Sequence, residues 1–209
     1  MRAIRIVPVA LGLGVLALAS SCSRMSAPTD TSRPAGAELA SVEGDPVVVA
    51  VGDIVCGTGT STSAPCVHAQ TAALTGAVAP AAVLLLGDNQ YESGTLSDFR
   101  SFYDPTWGTH KAITWPSAGN HEYQTAGAAG YFDYFNGQGA PTGRAGDRTK
   151  GYYSFDLGSW HLIALNSNCA AVGGCGAGSP QEQWLRTDLA ANPRTCTLAY
   201  WHHPRFSSG

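Results

Sequence analysis

The chain has 209 residues, 44% of them apolar and 13% charged, with 25 Gly and 12 Pro. That suits one domain with a sizeable core and excludes disorder throughout, while the lack of a Gly-X-Y period and of sustained heptads excludes collagen and coiled coil. With 12 Lys+Arg against 15 Asp+Glu, a net charge of −3 and no Lys/Arg cluster, the chain lacks the electrostatic footprint of a nucleic-acid partner.

Arg2 and Arg5 precede Ile6–Ala19, fourteen residues without a charge, and the small residues Ala19, Ser20 and Ser21 lead to Cys22. A basic start, a short apolar stretch and a small-residue exit describe a secretory leader over residues 1–22. The stretch is short of the ~20 residues of a spanning helix, and Pro8, Gly12 and Gly14 argue against a buried one. Cys22 resembles the acylated cysteine of bacterial lipoproteins, with Ala19 standing where that pattern prefers Leu. Export to the periplasm, to the medium or to a lipid anchor at the envelope is therefore expected, and lipidation of Cys22 stays open. Residues 23–45 hold Ser, Thr, Ala, Pro and Gly without an apolar period and read as a flexible linker.

The domain expected over residues 46–209 alternates strands and helices. Residues 46–52 are a continuous apolar run ending at Asp53, and residues 81–87 are another ending at Asp88. Residues 66–78 between them have helical character, with Val67, Leu74 and Val78 near one face. Two buried strands around a helix form a βαβ unit, which puts both aspartates at the same carboxyl edge of a parallel sheet. A third strand is expected over residues 112–117, a helix over 128–135, and a hairpin from residues 152–157 and 161–166. Ser179-Pro180-Gln181-Glu182 opens a helix with an N-cap, a proline in the first turn and a capping box. A last strand spans residues 195–201. Tyr131, Phe132, Tyr134 and Phe135 recur at helical spacing and read as core. Cys56/Cys66 and Cys169/Cys175 each bracket a small-residue loop, as local disulfides of an exported protein do. Cys196, inside an apolar run, reads as a buried thiol. No C-x2-C pair points to zinc. His68, His110 and His161 carry no motif and read as structural or solvent-exposed, and Arg205 as a surface residue.

Polar residues cap strand after strand: Asp53, Asp88, Asn120-His121 and His202. Oxygen and imidazole donors without thiolate suit Fe, Mn or Zn, and a carboxylate shared between two ions makes a two-metal site for phosphoryl displacement. Gly52-Asp53, Gly87-Asp88-x-x-Tyr91, Gly119-Asn120-His121-Glu122 and Ala199-Tyr200-Trp201-His202 stand in the order of the calcineurin-like metallophosphoesterases. Tyr91, three residues after Asp88, makes the chain similar to the purple acid phosphatase branch.

The resemblance implies an α/β fold, a layered β-sheet core flanked by helices. It also implies a metal-dependent hydrolase of phosphate monoesters or diesters that uses metal-bound hydroxide. By position, Asp53 binds the first metal, Asp88 bridges, Tyr91 is a phenolate ligand favouring Fe(III), and Asn120 and His202 bind the second metal. His121 matches the catalytic imidazole, with Glu122 behind it as an orienting carboxylate. His203 lies behind His202 or meets substrate. Val55 stands where the commoner pattern has His, and Tyr91 replaces that ligand. The family's closing Gly-His-x-His is absent, so the resemblance implies a domain incomplete at its C-terminus, a fragment holding three ligands per metal. The alternatives are a non-catalytic envelope binding protein on the same scaffold and an inactive fragment. A Ser-nucleophile hydrolase is disfavoured because no G-x-S-x-G follows a strand.

Overall fold

The structure, a computed structural model, describes residues 46–57 and 65–206, together with the backbone of residues 5–8. It is a mixed α/β fold of two small open sheets and helices. In the first sheet, β1 (Arg5–Pro8), β2 (Val47–Val51), β3 (Ala82–Leu86) and β4 (Thr114–Ser117) lie in that order, all parallel. The second holds β5 (Tyr153–Leu157), β6 (Trp160–Ala164) and β7 (Cys196–Tyr200). Here β5 is antiparallel to β6, and β7 is parallel to it. Of the expected leader only Arg5–Pro8 is described, paired along β2; the rest of the leader, Cys22 and the linker lie outside the described residues.

Alternation along β3 divides the interior in two. Val83 and Leu85 face a cluster with Phe99, Tyr103, Trp107, Tyr131, Phe132 and Phe135. Ala82, Leu84 and Leu86 face the second sheet through Trp160, Leu162, Leu198 and Tyr200. The aromatic face of α3 (Ala129–Asn136) is core, as expected. Tyr131 and Tyr153 both donate to the Pro116 carbonyl, at 3.0 and 2.8 Å. Pro116 is tolerated because β4 is an edge strand, where a missing N–H costs no ladder bond.

α1 (His68–Val78) buries Thr71, Ala72 and Thr75, and Leu74 is 58% exposed. The expected apolar face is therefore not the packed one. Small residues let the helix approach the 3-10 turn at Trp107–Ile113, where His110 Nε2 donates to the Ala72 carbonyl at 2.9 Å. That turn and the helical segment from α2 (Leu96–Asp98) into the π-turn Phe99–Tyr103 had no counterpart in the sequence reading. At α4 (Pro180–Ala191), Ser179 Oγ accepts from the Glu182 N–H as the cap signature implies. Disulfides join Cys56 to Cys66 and Cys169 to Cys175. Cys196 is also disulfide-bonded and not the thiol expected; an apolar strand conceals a half-cystine as readily as a thiol. These bridges are compatible with an exported protein. Among the described residues no helix is long and apolar enough to cross a membrane.

His161 ties the hairpin to α4. Its ring is 2% exposed, with Nδ1 2.8 Å from Asp156 Oδ1 and Nε2 2.7 Å from Asp188 Oδ2. Both partners only accept, so both nitrogens donate and the ring is an imidazolium. Arg194 pairs with the far side of Asp156, and Ser154 donates to Asp188. Burial alone lowers the pKa of His161, but the hydrogen bonds and charges of Asp188 and Asp156 outweigh it and leave it raised. A raised folded-state value contributes stability that is complete below the unfolded value of about 6.5 and disappears as pH rises through the folded one. His161→Gln is expected to cost about 2 kcal/mol or more below about pH 6, with the gap to wild type narrowing at alkaline pH. Urea unfolding across that range checks it; a gap that does not change with pH defeats the imidazolium assignment.

Candidate metal centre

Beyond β2 and β3 the two chains stay paired. Asp53 N–H donates to Gly87 O at 3.1 Å, Ile54 N–H to Asp88 O at 3.1 Å, and Tyr91 N–H to Val55 O at 2.8 Å. This extension sets Asp53 beside Asp88 and Tyr91. Both aspartates have positive φ, 55° and 47°, a conformation that Asp tolerates better than most residues. Tyr91 Oη donates to Asp53 Oδ1 at 2.7 Å and lies 3.2 Å from Asp88 Oδ2.

Asn120 comes from the turn after β4 and His202 from the end of β7. His202 Nδ1–H donates to the Leu86 carbonyl at 2.9 Å, which turns Nε2 toward Asp88 and Asn120. Nε2 lies 3.0 Å from Asn120 Oδ1 and 3.4 Å from Asp88 Oδ2. Asp88 Oδ2 thus stands between the Asp53–Tyr91 pair and the Asn120–His202 pair. Two close approaches make this possible. A Cβ on Gly119 would sit 2.0 Å from Asp88 Oδ1, and one on Gly87 (φ +89°) 2.5 Å from His202 Cβ.

Burial alone raises the pKa of Asp88, but the hydrogen bond from His202, the His121 N–H at 3.0 Å and the charges of both imidazoles bring it below the usual value. For His202, burial lowers the pKa and the hydrogen bond and charge of Asp88 raise it further than that. Burial and the two carboxylates push the Tyr91 phenol up, so it stays protonated here. The proton Tyr91 shares with Asp53 is the one a cation would replace.

His121 Nε2 lies 3.9 Å from Asp88 Oδ2, and its ring meets Tyr91 edge-on at 4.5 Å between centroids. Its orienting partner is not Glu122. Nδ1 hydrogen-bonds to the Glu92 carbonyl, with the Glu92 carboxylate 3.6 Å away. Glu122 is fully buried and accepts backbone N–H groups instead: Asp88 at 3.0 Å, Asn89 at 2.8 Å, Gln90 at 3.2 Å and Gly119 at 2.7 Å. Its backbone follows the 3-10 turn at Glu122–Gln124, which aims the side chain back under both turns. Burial and the Asp88 charge push its pKa up to about 7 against the pull of those N–H groups. His203 is held by Ser167. Its backbone N–H donates to Ser167 Oγ at 3.0 Å, and that hydroxyl donates to Nδ1 at 2.7 Å.

Several contributors had no motif. Asn89 Nδ2 donates to Ser117 O at 2.9 Å, and Asn168 Nδ2 reaches the Ala118 and Gly119 carbonyls at 3.3 Å. Asn166 and Gln181 exchange two hydrogen bonds, of 2.7 and 3.0 Å. The only available signal was the place of Asn89 just past β3 and of Asn166 and Asn168 just past β6; Gln181 lies in the first turn of α4.

The donors fit a hard or borderline cation. Carboxylate, phenol, amide oxygen and imidazole stand 2.7–3.4 Å apart, the separation of neighbouring ligands on one ion at metal–ligand distances of about 2.0–2.2 Å. Asp53 and Asn120 are exposed, so one side is open to solvent. Comparison of the chain with protein-family models, with curated proteins and with solved structures finds no match.

Glu122→Gln places amide N–H groups against the backbone N–H groups that Glu122 now receives. It is expected to destabilise the fold by about 2–4 kcal/mol in urea unfolding. Gly119→Ala, which forces Asp88 aside, is expected to cost about 2 kcal/mol or more. Unchanged stability of either variant contradicts the packing described.

Proposed function

We propose that this is an exported two-metal phosphoesterase on a metallophosphoesterase-type layered core, hydrolysing small phosphate monoesters or diesters. The observation that carries the reading is the place of Asp88, within 3.2 Å of Tyr91 Oη and 3.4 Å of His202 Nε2. Asp53, Tyr91 and Asp88 would hold one ion, and Asp88, Asn120 and His202 the other. Fe, Mn or Zn suits these donors, and the Tyr91 phenol favours Fe(III) at the first position. When bound, such a pair supplies an activated water and positive charge on the oxygens of an in-line phosphoryl displacement.

The chain's own side chains do the rest. Leu86 O fixes the His202 tautomer, so Nε2 is the atom offered to the cradle. His121, with Nδ1 committed to the Glu92 carbonyl, presents Nε2 on the Asp88 side, where it can hold a proton for the leaving oxygen. Glu122 keeps the two turns in place without touching substrate. The leader-like start and the disulfides support export.

Asp88→Asn is expected to lower metal content, by elemental analysis, and turnover of an aryl phosphate monoester together, turnover by at least about a hundredfold. Unchanged metal content in that variant would falsify the bridging role. In iron-loaded protein, Tyr91→Phe is expected to lose the visible phenolate-to-iron absorption. Metal uptake without turnover by the unaltered chain supports the envelope binding protein or the inactive fragment instead.

A further inference from the structure

Away from the strand ends, a second group of donors meets. Cys56, Cys66 and His68 bring two sulfurs and a ring nitrogen within 4.8 Å of one another. Cys56 ends the segment that carries Asp53, and Cys66 and His68 flank the start of α1. The two cysteines are joined as a disulfide. His68 Nδ1 is buried and makes no hydrogen bond among the described residues. A buried polar nitrogen left so costs about 1–3 kcal/mol. An imidazole nitrogen without a hydrogen-bond partner has a lone pair to offer a cation, and burial, which lowers the His68 pKa, works in the same direction.

We propose that reduction of the Cys56–Cys66 disulfide turns this corner into a binding site for zinc or a similarly thiophilic divalent cation, with the two thiolates and His68 Nδ1 as ligands. The reductant is a dithiol. It breaks the S–S bond, supplies two electrons and two protons, and leaves as its own cyclic disulfide. The incoming cation then displaces the two thiol protons to solvent, while the proton of His68 stays on Nε2. Two thiolates neutralise a divalent ion, and zinc takes such sulfur and nitrogen ligands at about 2.3 and 2.0–2.1 Å. Two thiolates on one tetrahedral ion stand roughly 3.8 Å apart, well beyond a disulfide bond, so the sulfurs must part as the S–S bond opens while the His68 ring draws in, by side-chain rotation. Cys66 is exposed, so a fourth position is open to water.

The sequence offered no C-x2-C pair, but His68, two residues after Cys66, supplies what that pattern lacks. In an oxidising compartment the site stays closed, because the disulfide persists there.

Cobalt(II) binding to the full chain tests this independently of the two-metal reading. Thiolate-to-cobalt charge-transfer absorption reports sulfur ligands and is silent about oxygen and nitrogen donors. The oxidised protein is expected to show none of this absorption. After dithiol treatment and removal of the reductant, the charge-transfer band is expected to saturate at the intensity of a single cobalt held by two thiolates. The signal should persist in Cys169→Ser/Cys175→Ser and vanish in Cys56→Ser/Cys66→Ser. His68→Ala keeps the disulfide when oxidised, so its fold is checked by circular dichroism before reduction. Its reduced form should bind at least about tenfold more weakly, since even a residue behind a ligand is worth that much. No thiolate band on reduction, a band that survives in Cys56→Ser/Cys66→Ser, equal affinity in His68→Ala, or unfolding on reduction each overturns the proposal.

Discussion

Everything at the strand ends depends on one buried carboxylate. Glu122 has no exposed surface, and its two oxygens receive four backbone N–H groups, three from residues 88–90 after β3 and one from Gly119 after β4. Taking a carboxylate out of water costs several kcal/mol, and charge-assisted N–H bonds offset it at about 1.5–3 kcal/mol each. The offset is incomplete, because burial and the neighbouring Asp88 charge still lift the Glu122 pKa to about 7. A buried charge held on those terms is poor evidence of added stability. What it does is fix geometry: two loops from adjacent strands are locked by groups that neither can satisfy alone.

That lock explains the backbone around it. Asp88 is held at φ 47° and Asp53 at φ 55°, conformations that cost of order 1–2 kcal/mol for a residue with a Cβ. They persist because the surroundings determine them: the Asp88 N–H is committed to Glu122 and its Oδ1 to the His121 N–H. Gly119 lies against Asp88 where no side chain fits, and Gly87 does the same against His202. The walls of the cradle are therefore set by the backbone itself, before any side chain moves.

This also marks where the sequence was legible. The runs at residues 46–52 and 81–87 announced buried parallel strands, since both faces are covered and no polar alternation is needed. Their terminal aspartates followed from topology. The segment from Leu96 to Tyr103 was not legible, although Thr95 caps it by accepting from the Asp98 N–H at 3.1 Å. Its helix is short, and its aromatics gain their meaning from packing on Tyr134 and Phe135. α1 misled for a related reason: its small residues face inward because the neighbouring turn comes close, and Leu74 is left outside. Glu122 was misassigned because adjacency to His121 in sequence suggests contact, whereas the 3-10 turn points the carboxylate at backbone more than thirty residues earlier. Cys196 was misassigned because pairing is a property of the folded chain.

The centre spans two sheets, so its geometry rests on how they pack as well as on Glu122. Asp53, Asp88 and Asn120 come from the first sheet and His202 from the second, joined through Leu84 and Leu86 against Leu162, Leu198 and Tyr200. Successive side chains leave a strand on opposite faces, so a slip of one residue in β7 would turn His203 toward Asp88 and His202 toward Ser167. The register Ala164↔Tyr200 prevents this, and the Leu165 N–H continues the ladder to Tyr200 O at 2.9 Å. Burial enforces the same phase, with Cys196, Leu198 and Tyr200 inside and Thr197 and Ala199 outside. Ser167 then holds His203 on its own side. The choice between two adjacent histidines, for which the sequence offers only the place of His202 before x-Pro, is made by the alternation of a strand of 5 residues.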